Sequence, residues 1–387
     1  MRSPMDQGGD EVRREMLETV RRFVAREVVP VAGELEREDR FPAEIVDRMR
    51  GLGLFGVTIP EAYGGLGLDL LTYVGLIEEL AYGWMSLTGI VNTHTMVATL
   101  LVQHGTEEQK RRWLPSMASG ERRGALSLSE PDAGSDTRNI SCKAVRDGDE
   151  YVINGTKAWV TNGERAGIVA LAVRTEEGIS ALVVEKEPGG SFGGISVSKH
   201  VGKLGYRGVE TVEMSYVDHR VPVANLVGEP GRGLAQILGV LEVGRINIAA
   251  RAVGVARAAF DAALAYAQQR TTFGKPIAEH QAIALKIADM ATRLEAARLL
   301  TQNAAERKSA GLRCDVEAGM AKLFASETAL ELATDAMRIH GGMGYTTEMP
   351  VERYYRDAPL MIIGEGTNEI QRLVIARGLL ARARERS

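Results

Sequence analysis

Apolar residues recur at every third or fourth position through most of the first 122 residues. In the clearest stretch, one helix face carries Val12, Met16, Val20, Phe23, Val24, Val28 and Val31. Pro30 lies near the expected end of this helix. Glycines at positions 51, 53 and 56 and in the run YGGLGLD then separate further helices. The pattern predicts a helical segment over residues 12–122.

The pattern changes near residue 124, where short runs of β-branched residues alternate with turn residues. The runs are EYVING, GIVALAVRT, GISALVVEK and VETVEMSYV. Asp147-Gly148 and Asn154-Gly155 have the composition of tight turns and flank one of these runs. Residues 124–230 are therefore predicted to form an all-β segment.

The helical period returns at Gly233 and continues in long pieces. We expect helices at about 233–269, 276–308, 314–340 and 367–385. Alanine-rich helices of this length, decorated with Arg and Glu, are typical of a helical bundle. The order helical, β, helical predicts an α+β chain with three domains, at residues 1–123, 124–232 and 233–387.

The charge balance argues against several functional classes. The 387 residues contain 47 Lys and Arg against 51 Asp and Glu, which gives a net charge of −4. This balance provides no basic surface for nucleic acid and no polybasic membrane tail. We also expect no secretory signal, and no membrane span in the apolar stretch 234–260, because charges interrupt it at Glu242, Arg245, Arg251 and Arg257.

The cysteines and histidines point to an intracellular protein without a metal site. Cys142 and Cys314 are far apart in sequence, so a disulfide framework is not expected and a cytoplasmic location is the simpler prediction. The six histidines show no metal-ligand spacing with Cys or carboxylates. Metal chemistry is therefore not indicated.

Two segments of the predicted β region have features suited to binding a flat ligand. LSLSEPDAGSD (126–136) combines a strand with a loop of small hydroxyls and backbone donors, although an ordinary Asx or Ser turn would explain it as well. KAWVTNGERA (157–166) places Trp159 and Thr161 on one side of a strand. The alternative for Trp159 is a core residue.

Two further segments flank the predicted C-terminal helices. QQRTTFGKPIAEHQA (268–282) lies between two long helices, where Arg270 could pair with a phosphate and Gln281 with an amide or hydroxyl. RIHGGMGYTTEMPVERYYRD (338–357) is a helix end followed by glycines, which permit close approach to an anion. A plain helix–helix loop and a helix C-cap are the alternatives. The glycines follow a helix and not a strand, so they do not form a dinucleotide-binding fingerprint.

The last segment, IIGEGTNEIQRLVIARGLL (362–380), contains the candidate catalytic base. Glu365 stands between two glycines, just before a helix that Thr367 or Asn368 would cap. Acids near a helix start usually only complement the helix dipole. Here, however, the flanking glycines would leave the carboxylate open to a ligand.

Taken together and in this order, these five segments resemble the acyl-CoA dehydrogenase family over nearly the whole chain. The resemblance implies an N-terminal helical domain, a central β-barrel-like domain, a C-terminal four-helix bundle and a homotetramer. It also implies FAD as cofactor, an acyl-CoA substrate, and an FAD site shared between subunits. The same helical, β, helical order follows independently from the periodicity above.

The resemblance further implies a role for individual residues. Glu365 would be the catalytic base. The flavin would be lined by Leu126, Leu128, Ser129, Trp159 and Thr161. Other contacts to FAD, from the same or a neighbouring subunit, would come from Arg270, Phe273, Gln281, Arg338, Gly341, Gly342, Thr367 and Glu369. The acyl-CoA substrate would be contacted by Ser135, Glu242, Arg245, Gly364 and Gly366.

Four positions depart from patterns within that family. Gly244 stands where the isovaleryl-type branch carries its base, so Glu365 has no rival there. Met85 stands where glutaryl-type members carry Arg, which disfavours a substrate with a carboxylate. Arg338 replaces a frequent Gln. Gly364 replaces the Tyr of many straight-chain members, and with Gly89 deeper in, it predicts a wide acyl pocket for short-to-medium or branched groups.

The expected reaction is therefore α,β-dehydrogenation of an acyl-CoA thioester to the trans-2-enoyl-CoA, with electrons passed to an electron-transfer flavoprotein. An acyl-CoA oxidase that uses oxygen is an alternative, although such oxidases are usually longer. A nitroalkane-type oxidase would carry Asp in place of Glu365. A helical scaffold with a vestigial flavin site is the alternative outside enzymes, and the near-neutral charge opposes it.

Overall fold

The computed structural model of the chain describes residues 4–385, in which long helices flank a single large sheet. The helices before the sheet are α1 to α6, at Pro4–Phe23, Val29–Arg37, Ala43–Gly51, Leu70–Gly83, Met85–His104 and Glu107–Ala118. Those after it are α7 to α11, at Gly233–Gln269, Gln281–Ser309, Asp315–His340, Val351–Ile363 and Asn368–Arg384. The α+β order predicted from periodicity is confirmed.

The first predicted helix differs in detail from the structure. A π-helical turn at Val24–Val28 joins α1 to α2, and the helix continues past Pro30 to Arg37. Proline is tolerated there because it occupies the first turn of α2. The extra residue in the π turn changes the phase of the apolar face. After this turn Val31 is exposed, although Val28 is buried; before it, Val20 is buried and Val12 is exposed.

Helix α5 is the most deeply embedded helix of the N-terminal part. By length and composition Met85–His104 could cross a membrane, but 89% of its apolar window is buried inside the protein. The apolar stretch 234–260, in which charges predict that there is no membrane span, lies in α7. Within this apolar helix the polar run Asn92-Thr93-His94-Thr95 is also buried, and it faces the site described below.

The central sheet has nine strands. Strands β1 to β9 are Gly124–Ser127, Lys143–Asp147, Glu150–Thr161, Ile168–Thr175, Gly178–Glu185, Ser191–Phe192, Ile195–Val197, Thr211–Pro222 and Leu226–Val227. Their order is β6-β7-β8-β3-β2-β4-β5-β9, with β1 parallel to β4. All four predicted β-rich runs lie on strands.

One predicted turn is wrong. Asp147-Gly148 does form the tight turn between β2 and β3, but Asn154-Gly155 lies inside β3 at a register shift against β8. A Cβ at Gly155 would fall 2.6 Å from the Cα of Cys142, which immediately precedes the neighbouring strand β2. The glycine therefore serves a β-bulge and a close strand approach, which local composition does not distinguish from a turn.

The C-terminal helices pack around α7, which has 37 residues and contacts α4, α5, α8, α9 and α10. A small hairpin, β10 at Thr271–Thr272 and β11 at Lys275–Pro276, separates α7 from α8. Helix α10 was not predicted, because it follows a glycine-rich run and contains Pro359. It is nevertheless important, since it leads directly into the loop that carries Glu365.

Candidate active site

Glu365 lies in the loop between α10 and α11, in a backbone conformation that side chains rarely adopt. Its φ is +56°, and that of the following Gly366 is +83°. A non-glycine residue in the left-handed region costs about 1–3 kcal/mol, and such residues persist only where the surrounding structure holds them. They cluster at functional sites, so this strain distinguishes Glu365 from an ordinary acid at a helix start.

Two side chains hold the strained loop in place. From α9, the Lys322 ammonium donates to the carbonyls of Ile362 and Gly366, both at 3.0 Å, and to Oδ1 of Asn368 at 2.7 Å. From α11, the Gln371 amide donates to the carbonyls of Glu365 at 3.3 Å and Gly366 at 3.1 Å. The backbone on both sides of the carboxylate is thereby fixed to two helices.

Helix α11 begins just after the loop. Its cap is Thr367, whose hydroxyl accepts from the Ile370 N–H at 3.4 Å, so the first of the two predicted caps is confirmed. Glu369, in the first turn, is exposed. The free N–H groups of this turn make the loop end a favourable place for an anionic or hydrogen-bonding group of a ligand.

The Glu365 carboxylate meets two other helices. Asn92 of α5 donates to its Oε1 at 3.1 Å. On the other side, the carboxylate packs against Gly244 of α7, where a Cβ would fall 2.9 Å from Oε2 and 2.8 Å from Sδ of Met96. Gly244 thus provides the space that the carboxylate occupies, and no side chain fits there without displacing Glu365 or Met96.

Burial dominates the electrostatics of Glu365. The residue is only partly accessible to solvent, and the protein around it raises its pKa above the ordinary glutamate value. Arg251 and Arg245 on α7, the Asn92 hydrogen bond and Lys322 oppose this rise in pKa but do not cancel it. The result is a carboxylate whose proton affinity is higher than that of a surface glutamate, as a general base requires.

The first flavin segment predicted from sequence is tied to the same helix as Glu365. The Leu126 N–H donates to the Thr93 hydroxyl at 2.9 Å, one residue from Asn92. At the start of β1, the Gly124 N–H donates to Nδ1 of His94 at 3.1 Å. Leu126, Leu128 and Ser129 are partly exposed along this edge. The β1 edge and the candidate base are therefore held side by side by α5.

Trp159 and Thr161 lie beside this edge at the end of β3. Trp159 has φ of +61° at a bulge, and 64% of its surface is exposed, so its interpretation as a core residue is wrong. Thr161 lies within reach of the Tyr206 hydroxyl. Burial raises the pKa of this hydroxyl, and the charges of Arg251 and Glu365 also act on it. An exposed indole, a hydroxyl and the β1 edge thus surround one region next to the candidate base.

A second group of predicted cofactor residues lies elsewhere in the chain. Tyr266 near the end of α7 stacks on His340 at the end of α9, with ring centroids 4.3 Å apart. This contact brings together Arg270, Phe273, Gln281, Arg338, Gly341 and Gly342. Arg270 follows Gly244 by 26 residues on α7, which corresponds to about 39 Å along a helix. The second group therefore does not belong to the Glu365 site of the same chain.

The second group is exposed. Phe273 has φ of +50° and is 97% exposed, while Arg338 is exposed and forms an ion pair with Asp335 at 3.4 Å. Nearby Tyr345 is also largely exposed. A surface of this kind, rich in uncovered aromatic groups, is typical of a contact with another molecule.

The remaining predicted substrate residues differ in their surroundings. Ser135 lies in the exposed loop after β1. Glu242 is not free, because it pairs with Lys308 at 2.6 Å and accepts from the Cys314 thiol at 3.5 Å. Arg245 is buried one residue from Gly244, and its Nε lacks a hydrogen-bond partner among the described residues.

Several residues of the site were missed from sequence, namely Asn92, Lys322, Gln371, Arg251 and Tyr206. One signal was available for Asn92: a run of four polar residues inside an otherwise apolar helix is unusual, since buried polar groups need partners. Lys322, Gln371 and Arg251 are ordinary residues of helices with many charges, and the sequence contains no signal that distinguishes them.

Family models match three consecutive parts of the chain. The N-terminal domain of acyl-CoA dehydrogenases matches residues 10–121, the middle domain residues 125–218, and the C-terminal domain residues 231–380. The chain belongs to the acyl-CoA dehydrogenase family. It is accordingly an oxidoreductase of the acyl-CoA dehydrogenase type, and the resemblance first noted from five motifs is confirmed.

Individual relatives of this acyl-CoA dehydrogenase agree over nearly their full length. The human mitochondrial short-chain specific acyl-CoA dehydrogenase is 42% identical over 377 residues, which cover 96% of this chain and 90% of that protein. An acyl-CoA dehydrogenase of Bacillus subtilis is 43% identical over 371 residues, covering 94% and 97%.

Solved structures show the same fold. Butyryl-CoA dehydrogenase from Megasphaera elsdenii has a TM-score of 0.92 at 35% identity, with 95% of this chain and 98% of that chain covered. A chain from the work on the electron transferring flavoprotein of Acidaminococcus fermentans has a TM-score of 0.91 at 37% identity, covering 95% and 97%. The prolyl acyl carrier protein oxidase AnaB has a TM-score of 0.91 at 32% identity, covering 95% and 98%.

Proposed function

We propose that this acyl-CoA dehydrogenase oxidises short-chain acyl-CoA thioesters to trans-2-enoyl-CoA, with FAD as cofactor and Glu365 as the base that removes the α-proton. The observation that carries the proposal is the Glu365 carboxylate, held on a strained loop by Lys322 and Gln371 and aimed at Gly244 and Asn92. The names of the relatives support the short-chain class.

The residues beside Glu365 fit FAD. An exposed indole at Trp159, the Thr161 hydroxyl and the apolar edge of Leu126 and Leu128 together suit a flat ring with polar edges. The start of α11 at Thr367 adds N–H donors. In this arrangement bound FAD would supply the acceptor for the β-hydride, while the chain supplies position and charge.

Proton removal by Glu365 requires help, because the α-proton of a thioester is only weakly acidic. Among the described residues, the Glu365 N–H has no hydrogen-bond partner, so it is available to donate to the thioester carbonyl. One such donor is worth about 3 kcal/mol in comparable sites. The buried cations Arg245, Arg251 and Lys322 further stabilise negative charge that develops on the substrate. Substrate binding would exclude water and raise the pKa of Glu365 further.

At Gly89 the acyl pocket would be narrower than the sequence indicated. Gly89 lies one turn before Asn92 on α5, but its space is filled: a Cβ there would fall 1.4 Å from the Tyr206 hydroxyl oxygen. Tyr206 has φ of +55°, and a hydrogen bond from its backbone N–H to the Asp357 carboxylate, at 2.6 Å, holds this conformation. The expectation that Gly89 widens the pocket is therefore wrong, because Tyr206 closes it. Gly364, in contrast, has only the Leu360 carbonyl nearby, so width beside the base remains.

Replacing Tyr206 by Ala should shift the preferred acyl chain to greater length. The change removes the ring that fills the space at Gly89, so six- and eight-carbon thioesters should gain relative to butyryl-CoA by about 10-fold in kcat/KM. This corresponds to about 1.4 kcal/mol. The measurement is kcat/KM over straight-chain acyl-CoAs of four to ten carbons. Tyr206→Phe keeps the ring and is the control; an equal shift in both variants would contradict this assignment.

The pH dependence of kcat/KM should report the raised pKa of Glu365. The base is active as the carboxylate, so turnover is lost as pH falls through that pKa and is restored as pH rises above it. Because burial raises the pKa, the acidic limb should lie above the ordinary glutamate value of about 4.3. A pH profile with butyryl-CoA and a non-titrating electron acceptor measures it, and a midpoint at or below about 4 would contradict the burial argument.

Electrons would pass to an electron-transfer flavoprotein, which the similarity to a chain from such a system supports. An oxidase that uses oxygen is a second candidate. The oxidase AnaB matches this chain over 98% of its own length, so chain length does not distinguish dehydrogenases from oxidases. Anaerobic flavin bleaching with butyryl-CoA, followed by reoxidation with electron-transfer flavoprotein or with oxygen, tests the proposal. No bleaching would contradict the dehydrogenase assignment, and faster turnover with oxygen would favour the oxidase.

The two separate clusters of cofactor residues support an oligomer. Arg270 and Phe273 follow the C-terminal end of α7, too far from Glu365 to complete its site within one chain, and both are exposed. We propose a homotetramer in which this surface reaches the FAD of a neighbouring subunit, in a cytoplasmic protein. Sedimentation at micromolar concentration tests the assembly.

A further inference from the structure

Helix α7 carries a buried cation whose counter-charge is not in contact with it. Arg251 is 3% exposed. Its Nη2 donates to Oδ1 of Asn247 at 3.1 Å, but its Nε has no partner among the described residues. No carboxylate within residues 4–385 forms an ion pair with it at 4.0 Å or less. Buried charges are normally paired, because an uncompensated buried charge is strongly unfavourable.

The position of Arg251 relates it to the substrate. Gly244, Asn247 and Arg251 follow one another at helical spacing, so they share one face of α7. Glu365 touches the first of them, and the Arg251 head points back over the second. The guanidinium therefore stands about one helical turn, roughly 5 Å, along α7 from the catalytic carboxylate. An acyl chain that leaves its α-carbon at Glu365 and follows α7 would meet it after two or three carbons.

The surroundings of Arg251 are polar, unlike the wall expected for a hydrocarbon tail. Its guanidinium carbon lies 5.5 Å from the ring centroid of Tyr206, whose hydroxyl is also near. Asn247 donates to the Tyr73 hydroxyl at 2.8 Å. An aliphatic chain end placed here would face a guanidinium and two phenols to which it offers no hydrogen bond.

Several buried cations interact with the Glu365 carboxylate. Three buried cations, Arg245, Arg251 and Lys322, act on this one carboxylate. Lys322 is bonded to carbonyls and to Asn368, and Arg245 lacks a partner at Nε among the described residues. Glu242 and Asp315 also act on Arg245, and Glu369 and Glu327 act on Lys322. For Arg251, Glu365 is the acid whose charge interacts with it, so an anion beside its guanidinium would be electrostatically favourable.

We propose that Arg251 binds a carboxylate at the far end of the acyl group, so that the preferred substrates are mono-CoA thioesters of short dicarboxylic acids. The inference rests on the proposed dehydrogenase function and names its substrate class. The sequence predicted the opposite, because Met85 stands where glutaryl-type members carry Arg and therefore disfavours a substrate with a carboxylate. In this proposal Arg251 supplies the cation from a different helix.

The wild-type enzyme provides the first test, by comparing two thioesters of equal length. Glutaryl-CoA carries a terminal carboxylate, whereas pentanoyl-CoA ends in a methyl group. A charge-assisted hydrogen bond corresponds to a preference of about 10- to 100-fold. We therefore expect kcat/KM for flavin reduction to favour glutaryl-CoA by at least about 10-fold. A preference for pentanoyl-CoA would overturn the proposal.

Variants at Arg251 provide the second test. Both thioesters should lose activity, because Arg251 also acts on the charge near Glu365. Arg251→Gln should nevertheless lower kcat/KM for glutaryl-CoA at least about 10-fold more than that for pentanoyl-CoA, while Arg251→Lys should retain part of the preference. If Arg251 were only a counter-ion for Glu365, Arg251→Gln would lower kcat/KM equally for both thioesters. The acidic limb of both pH profiles would then also move to higher pH by the same amount. That outcome would overturn the proposal.

Binding without turnover separates recognition from catalysis. In the Glu365→Gln background, calorimetry should give tighter binding of glutaryl-CoA than of pentanoyl-CoA, and Arg251→Gln should abolish the difference. Equal affinities would contradict the proposal. Oxidation of butyryl-CoA serves as the reference for the proposed function: if it fails too, that function is wrong, whereas activity on butyryl-CoA without a preference for glutaryl-CoA contradicts only the role of Arg251.

Discussion

Replacing Glu365 by Gln should lower turnover by about four orders of magnitude while FAD remains bound. A general base contributes up to about 10⁴-fold, and glutamine has the same shape but accepts no proton at its amide. The loop should keep its place, because Lys322 and Gln371 bind its backbone carbonyls and do not touch the altered group. The Asn92 contact to Oε1 can also persist with the amide oxygen.

The measurement is single-turnover flavin reduction by butyryl-CoA, together with the flavin absorbance per chain. Glu108→Gln is the matched control, because Glu108 is an exposed acid in the first turn of α6. It makes the same chemical change at another helix start and should leave the rate unaltered. Near-normal reduction by Glu365→Gln would disprove the assignment of the base. Loss of flavin from this variant would instead show that the carboxylate supports the cofactor site.

Adding a single methyl group at Gly244 should also inactivate the enzyme. An Ala Cβ at this position would lie 2.9 Å from Oε2 of Glu365 and 2.8 Å from Sδ of Met96. Methionine can move, but the carboxylate is attached to a loop that is fixed on both sides. We expect Glu365 to shift by several tenths of an ångström and kcat to fall by about 100-fold, as small displacements of catalytic groups do.

Gly239→Ala is the control for this experiment. Gly239 lies on the same helix, α7, and no neighbouring segment comes within 4 Å of the position that its added methyl group would take. This substitution should leave kcat unchanged and stabilise the fold by about 0.4–1 kcal/mol, because alanine restricts the unfolded chain more than glycine. Unchanged kcat in Gly244→Ala would mean that the carboxylate does not occupy this position during catalysis.

The helical period of three or four residues and the strand period of two were sufficient to predict the order of helices and strands. Both periods depend only on residues that are close together in the sequence. The errors occur where a contact from elsewhere changes the local rule. Gly155 belongs to a bulge because Cys142 approaches it, and Val31 turns outward because of the π turn at Val24–Val28. Helix α10 tolerates Pro359, which local propensity disfavours.

The candidate site was only partly predictable for a similar reason. Glu365 could be identified because its flanking glycines and the four other motifs occur together in one chain. Its partner Asn92, however, is 273 positions away. Lys322 is 44 positions from the Gly366 carbonyl that it binds. Such pairs leave no pattern in a single sequence.

The sequence by itself determined the family, the order of helices and strands, and the identity of the candidate base, because these depend on local period and on motifs. Only the tertiary structure decided what surrounds that base. Gly244 proved to be the space that Glu365 fills, Gly89 proved to be closed by Tyr206, and Arg251 proved to be a buried cation near the candidate base. These facts depend on which distant segments pack together, and packing in three dimensions sets the space and charge that select a substrate.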